Sequence, residues 1–248
     1  MRKLGLGVLI ACALAVTAAP ASASHSWGSY HWARTANPFV LGLDNNLTTA
    51  SWRDLGKFVS ADWSASTVLE APLSAPKTDN KRCKASSGRV EVCNGRYGNN
   101  GWLGLAQIWI SGGHISQATT KVNDTYLASP SYTDTGRRHV LCQEVGHDFG
   151  LDHQDESGAD LNTCMDYADA LDNPSPNQHD YDQLYTIYNG HGDASTTAAA
   201  VSSASGAKGR LKRVRDDLFV EDLGRGQKRV VFVFWSNREI PHGPPAVE

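Results

Sequence analysis

The stretch Gln143-Glu144-Val145-Gly146-His147-Asp148-Phe149-Gly150-Leu151-Asp152-His153 constrains this chain more than any other. Set on a helix, Leu141, Val145 and Phe149 recur at i, i+4 and i+8 as an apolar stripe, with Gln143, Glu144 and His147 on the opposite side. One face can pack on a core while the other looks into a cleft. Gln143 and His147 are one turn apart, so their side chains converge on a point, as two ligands of a single ion must. Glu144 is offset from both, far enough to miss the ion and near enough to reach its water. Gly150 can adopt the left-handed conformation that ends a helix, after which His153 approaches the same point from another direction. Three donors and an open fourth position describe a catalytic zinc site, whereas a structural site is closed.

Downstream lies Cys164-Met165-Asp166-Tyr167. Together the two stretches resemble the metzincin metalloproteases, whose signature is H-E-x-x-H-x-x-G-x-x-H followed by a methionine turn. Glu144, His147, Gly150, His153 and Met165 match, and position 143 departs from the pattern with Gln in place of His. The likeness spans roughly Tyr30 to Gly190 and is strongest from Gln143 to Tyr167. It implies an α/β (α+β) zincin fold, with a twisted mixed sheet, an active-site helix and a C-terminal helix. It implies Zn²⁺ held by Gln143, His147 and His153, with Glu144 as general base and then acid, and a polypeptide substrate. Tyr167, two residues after the methionine, stands where some of these families carry a tyrosine that ligates zinc or stabilises the oxyanion. In metzincins the substrate adds as a strand to the sheet edge beside the cleft; Leu105–Ile110 or His114–Asn123 should supply that edge here.

The glutamine divides the functional expectation. An amide oxygen is neutral and harder than an imidazole nitrogen, so it binds Zn²⁺ less tightly. In one outcome the chain is a secreted zinc metalloendopeptidase; in the other it is a catalytically weak or inactive scaffold that binds extracellular peptides or proteins. The retained Glu144, which an inactive protein is free to lose, favours the first. Other histidines stay outside the ligand set. His139 lies on the same face, but at ~1.5 Å rise per residue it sits about 12 Å along the axis from His147; it reads as a polar residue of the helix's first turn. His114 reads as structural or exposed, and His179 as part of a later helix start.

Compartment follows from the N-terminus. Arg2 and Lys3, an apolar run from Leu4 to Ala19 and Ala21-Ser22-Ala23 make a signal peptide over residues 1–23. The formal net charge of −3 becomes two units more negative without that leader. Such a balance gives no reason to expect nucleic acid or stable membrane insertion, and the expectation is a monomer acting outside the cell. Cys83, Cys93, Cys142 and Cys164 then remain, an even number that in an exported chain suggests two disulfides among three pairings. Pairing Cys83 with Cys93 and Cys142 with Cys164 is the preferred arrangement, the second tying the metal helix to the methionine turn. The acidic loop Gln154 to Thr163 offers carboxylates to calcium, although its spacing is not that of an EF-hand and solvated acidic loops are commoner.

At 40% hydrophobic residues, 248 residues suit one domain with a sizeable core plus extras. That domain is expected over 24–191. Phe39–Leu43 reads as a strand ended by Asp44-Asn45-Asn46, Ser51 as the cap of a helix through Val59, and Ser66–Glu70 and Arg89–Cys93 as further strands. Asp134 or Thr135 should cap the metal helix, and Asn177 to Asp180 a last helix carrying Tyr181, Leu184, Tyr185 and Tyr188. Residues 192–209, rich in Ala, Ser, Thr and Gly, form a flexible linker by composition. Residues 210–248 offer a hairpin around Leu223–Gly226 and a tail, too short for a domain and so needing to dock on the main body. The basic run Lys208–Arg215 reads as a solvated face.

Overall fold

The computed structural model describes residues 25–79, 82–167, 170–195, 209–236 and 243–246; the expected signal peptide and most of the linker lie outside them. Fourteen elements follow one another: β1 (His31–Trp32), β2 (Phe39–Val40), β3 (Leu43–Asn46), α1 (Ala50–Trp63), β4 (Leu69–Glu70), β5 (Val90–Gly95), β6 (Trp102–Ser111), β7 (His114–Asn123), α2 (Asp124–Leu127), α3 (Asp134–Asp148), α4 (Gln178–Tyr188), β8 (Lys212–Arg213), β9 (Leu218–Gly224) and β10 (Gln227–Trp235). The fold is mixed α/β, with an eight-stranded mixed sheet in the order β3-β5-β7-β6-β10-β9-β8 and β1 also pairing with β7. β3, β5, β7 and β1 are mutually parallel where they pair, and β6 pairs antiparallel with β7 and β10, as β9 does with β10 and β8.

Local chemistry sets the helix ends. Thr49 caps α1 by accepting the Trp52 N–H, and Thr133 caps α3 by accepting the Gly136 N–H. Both caps fall just before the positions expected from sequence, because a cap must lie outside the first helical residue. Asn177 caps α4 in a capping box with Asp180. Gly150, at φ +95°, turns the chain out of α3, and a Cβ there would stand 2.6 Å from the Tyr30 carbonyl oxygen.

The strand expected at Phe39–Leu43 divides into β2 and β3. Asp44, Asn45 and Asn46, expected to end it, instead lie inside β3 and are buried. Partners distant in sequence make that burial tolerable. Lys77 and Arg89 pair with Asp44, while Asn46 donates to Glu91.

β10 explains its own composition. Val230, Phe232 and Phe234 point into the main core, whereas Val231, Val233 and Trp235 join Trp102, Leu105 and Phe219 in a second cluster on the other face. A strand buried on both faces needs an unbroken apolar run, and Val-Val-Phe-Val-Phe-Trp is one. The antiparallel register of β10 with β6 runs from Gln227↔Ser111 to Trp235↔Trp102. Neither β6 nor β7 therefore keeps the free edge expected beside the cleft: β7 lies between β5 and β6, and β6 between β7 and β10.

The disulfides Cys83–Cys93 and Cys142–Cys164 are both formed, the second joining α3 to the loop before Met165. Among the described residues no helix is long and apolar enough to cross a membrane.

Candidate metal centre

From His139 to Asp148, every residue of α3 is buried. The helix was expected to show one polar face to a cleft; that face is instead covered by β6 and β10. Gly104 of β6 lies so close that a Cβ there would stand 2.6 Å from Glu144 Oε1. The Phe232 ring of β10 stacks on His147 with centroids 4.0 Å and planes 5° apart. His139, read from sequence as a first-turn polar residue, is wholly buried and meets the Phe234 ring edge-on at 5.8 Å.

Within this enclosure Gln143, His147 and His153 come together. The Gln143 amide nitrogen lies 2.6 Å from His153 Nε2, and the two imidazole centroids are 4.8 Å apart. Each histidine is oriented through its far nitrogen. His147 Nδ1 donates to the Leu151 carbonyl at 2.9 Å, and His153 Nδ1 lies 3.2 Å from both Glu156 Oε1 and Asp217 Oδ2. His147 Nε2 is thereby left without that bond, while His153 Nε2 takes the Gln143 amide, a contact that a metal would replace. Gln143 Oε1 and Glu144 Oε2 are buried with no hydrogen-bond partner among the described residues. Buried oxygens without a partner are costly, which is a reason to expect a further group in this enclosure. The donor set of one amide oxygen and two imidazole nitrogens fits zinc.

Met165 lies beneath, its sulfur 2.4 Å from where a Cβ on Gly146 would sit, and Trp63 crowds the same spot at 2.7 Å. A glycine in mid-helix is thus required by the methionine turn. The Met165 carbonyl accepts the Gln154 N–H at 2.6 Å, which ties the turn to the chain just past His153. Tyr167 stacks at a tilt on His153, with centroids 4.9 Å apart.

Electrostatics at the site follow from dryness and from carboxylates. Burial pushes the Glu144 carboxyl well above its ordinary range. Burial, with the neighbouring His153 charge, pulls His147 down to about 3. His153 is opposed by burial too, but the hydrogen bonds it donates to Asp217 and Glu156 outweigh it and raise the imidazole to about 9. Asp217 belongs to the C-terminal segment, and so does Arg215, which forks onto Asp152 with contacts of 2.8 and 2.6 Å while also holding Asp217. Arg215 is therefore no part of a solvated basic face; Lys212 and Arg213 remain exposed. Three members of this site, Asp217, Arg215 and Phe232, were not found from sequence, since no local pattern carries a contact across so many intervening residues.

No protein-family model and no curated protein matches the chain. Among solved structures, one of myroilysin matches at 13% identity and a TM-score of 0.38, covering 68% of this chain and 98% of that one. A second myroilysin structure matches at 12% identity and 0.39, covering 70% and 98%. At that level of likeness, a functional reading rests on the site itself.

Proposed function

We propose that the chain is a secreted zinc-dependent metalloendopeptidase of metzincin type, held closed by its own C-terminal hairpin. The observation that carries this is the convergence of Gln143, His147 and His153 beside a buried carboxylate, Glu144. Those three residues would hold the ion. Zinc, when bound, supplies Lewis acidity and makes a water nucleophilic near neutral pH. Glu144, made more basic by burial, takes the proton of the attacking water and returns it to the leaving nitrogen. Tyr167, packed on His153, stands to hydrogen-bond the carbonyl oxygen as it gains charge.

β10 occupies the edge of β6 on which an extended peptide would add. It therefore acts as the chain's own substrate mimic, and a peptide enters only when the hairpin leaves. The rival reading, an inactive scaffold that binds peptides, draws on the same cover. Separating them calls for a specific protease site placed within residues 196–208, with hydrolysis of an unfolded protein followed before and after nicking, with added Zn²⁺ and beside a Glu144→Ala control. Turnover that appears on nicking and vanishes with a chelator or in the control supports the protease. Silence of the nicked chain at every zinc concentration, with its hairpin shown by gel filtration under mild chaotrope to have separated, favours the scaffold.

A further inference from the structure

A second group of metal-type side chains lies away from α3, at the far end of the β6–β7 hairpin. His31 and His114 are direct partners in the parallel β1–β7 register, with rings edge to face at 4.8 Å. His191 and Asp193, just past α4, complete the group. His114 Nε2 lies 3.0 Å from Asp193 Oδ1, His31 Nε2 3.6 Å from Asp193 Oδ2, and His31 Nε2 3.2 Å from His191 Nε2. From the geometry we infer that His31, His114 and Asp193 form a second transition-metal site, of the zinc class, with one donor atom from each within 4.8 Å of the others and the fourth position open.

The separations argue for it. Zinc–nitrogen bonds of ~2.0–2.1 Å in a tetrahedron put ligand atoms about 3.3–3.4 Å apart. His114 Nε2 and Asp193 Oδ1, at 3.0 Å, lie near that edge, and one donor atom from each of His31, His114 and Asp193 lies within 4.8 Å of the others, so a small side-chain adjustment would close the set. The chemistry of the surroundings agrees. His31 Nδ1 donates to the Ser29 carbonyl at 2.8 Å, which leaves Nε2 with its lone pair toward the group. Arg34 donates to the Asp193 carboxylate through both its backbone N–H and its guanidinium.

Arg34 does not occupy the metal position. Its guanidinium is spread between the carbonyls of Tyr188 and His191, Asp193 Oδ2 and His191 Nε2, which keeps that imidazole out of the ligand set, and it holds the carboxylate from behind with Oδ1 turned to His114. Imidazole ligands exclude calcium and magnesium, which take oxygen, and select zinc or a similar borderline ion. The group borders a cavity of about 540 Å³ lined also by Gly112, Gly113 and Ile187, so an ion has a way in. Once bound, it would fasten the N-terminal strand, the β6–β7 turn and the segment after α4 to one another.

The test is a zinc count on the intact chain, by native mass spectrometry and calorimetry, for the parent, His114→Gln, Asp193→Asn and, separately, His147→Ala/His153→Ala. His114 is part-exposed and has little packing to lose. His114→Gln and Asp193→Asn should each remove one equivalent, weakening that site by roughly 100-fold or more, beyond the ~10–100-fold that losing an outer partner costs. Cobalt in the same site should give tetrahedral visible bands that disappear in both variants. The α3 variant should keep this equivalent whatever it does to the other, so failure of the proposed protease site leaves a count of one that still falls to zero with His114→Gln. Unchanged stoichiometry and affinity in both His114→Gln and Asp193→Asn would overturn the assignment. So would zinc bound only at millimolar concentration.

Discussion

Phe232→Ala tests whether the hairpin is a separable cover. The ring is 1% exposed and stacked on His147, so truncation removes a fully buried aromatic and leaves a hole above the ligand. Core Phe→Ala changes cost about 3–5 kcal/mol. If that loss falls on docking of β10 against β6 and α3, the fraction of molecules with the hairpin released rises accordingly. At about 1.4 kcal/mol per factor of ten, the lower end of that range already corresponds to more than 100-fold. Native-state hydrogen exchange reads it directly. Amides in Ala106–Ile110 of β6 and Val230–Phe234 of β10 should lose at least ~100-fold protection, while those of α1 around Leu55–Val59 lose far less, as expected for a sub-global opening. Turnover of an unfolded protein should rise in step. Equal loss of protection in α1 and β10 would refute the reasoning, because the hairpin would then leave only when the whole domain unfolds.

Two further perturbations address the body of the fold. Lys121 on β7 is 4% exposed, and burial together with the Arg229 charge lowers its pKa from 10.5 to about 8. The folded chain thus carries a charged buried lysine below pH 8, a cost relieved as pH rises toward the unfolded value; stability should climb on the order of 2 kcal/mol between pH 8 and 10. Urea titrations should show this, and Lys121→Met should flatten it; a parent chain with no slope in that window would refute it. Replacing Cys142 and Cys164 by alanine opens a loop with a sequence separation of 22 and should cost about 3 kcal/mol by the chain-entropy relation. An unchanged denaturation midpoint would show that α3 and the methionine turn are held together without the bond.

What was legible in the sequence was local. A Gln, a Glu and two His residues at fixed offsets, a glycine able to take positive φ and an Asn–Asp capping box are all written within a few residues, and their structural consequences follow at that range. Asp44–Asn46 show the limit. Three polar residues in a row read as a turn, and they became a buried strand because Lys77, Arg89 and Glu91 came to meet them. The apolar run of β10 reads as one arm of a hairpin that must dock on the main body, yet nothing local says which strand it will pair with. The histidine group at the far end of the sheet was invisible for the same reason, since His31 and Asp193 are brought together only by the register of β1 with β7 and by the end of α4.

The hairpin does more than exclude peptide, because it also supplies Asp217 to His153. An imidazole that gives its Nδ1 proton to a carboxylate is fixed in tautomer and ring angle, and its Nε2 becomes a better ligand. Asp217 is nearly dry and sits at 3.2 Å; Glu156, at the same distance, is 43% exposed and belongs to the loop that follows His153. When β8–β10 are docked, His153 is held by the drier carboxylate, and Arg215 braces Asp152 beside it. When they leave, Glu156 remains within reach, so the ligand keeps an orienting partner, though a wetter and weaker one. If the proposed function holds, the closed chain would be the form that grips a metal best, and the open chain the form that admits a substrate. A glutamine in the first ligand position makes that division useful. In the proposed site, with a neutral amide among its three donors, binding would depend more on the orientation of the two histidines, and the cover secures one of them, His153.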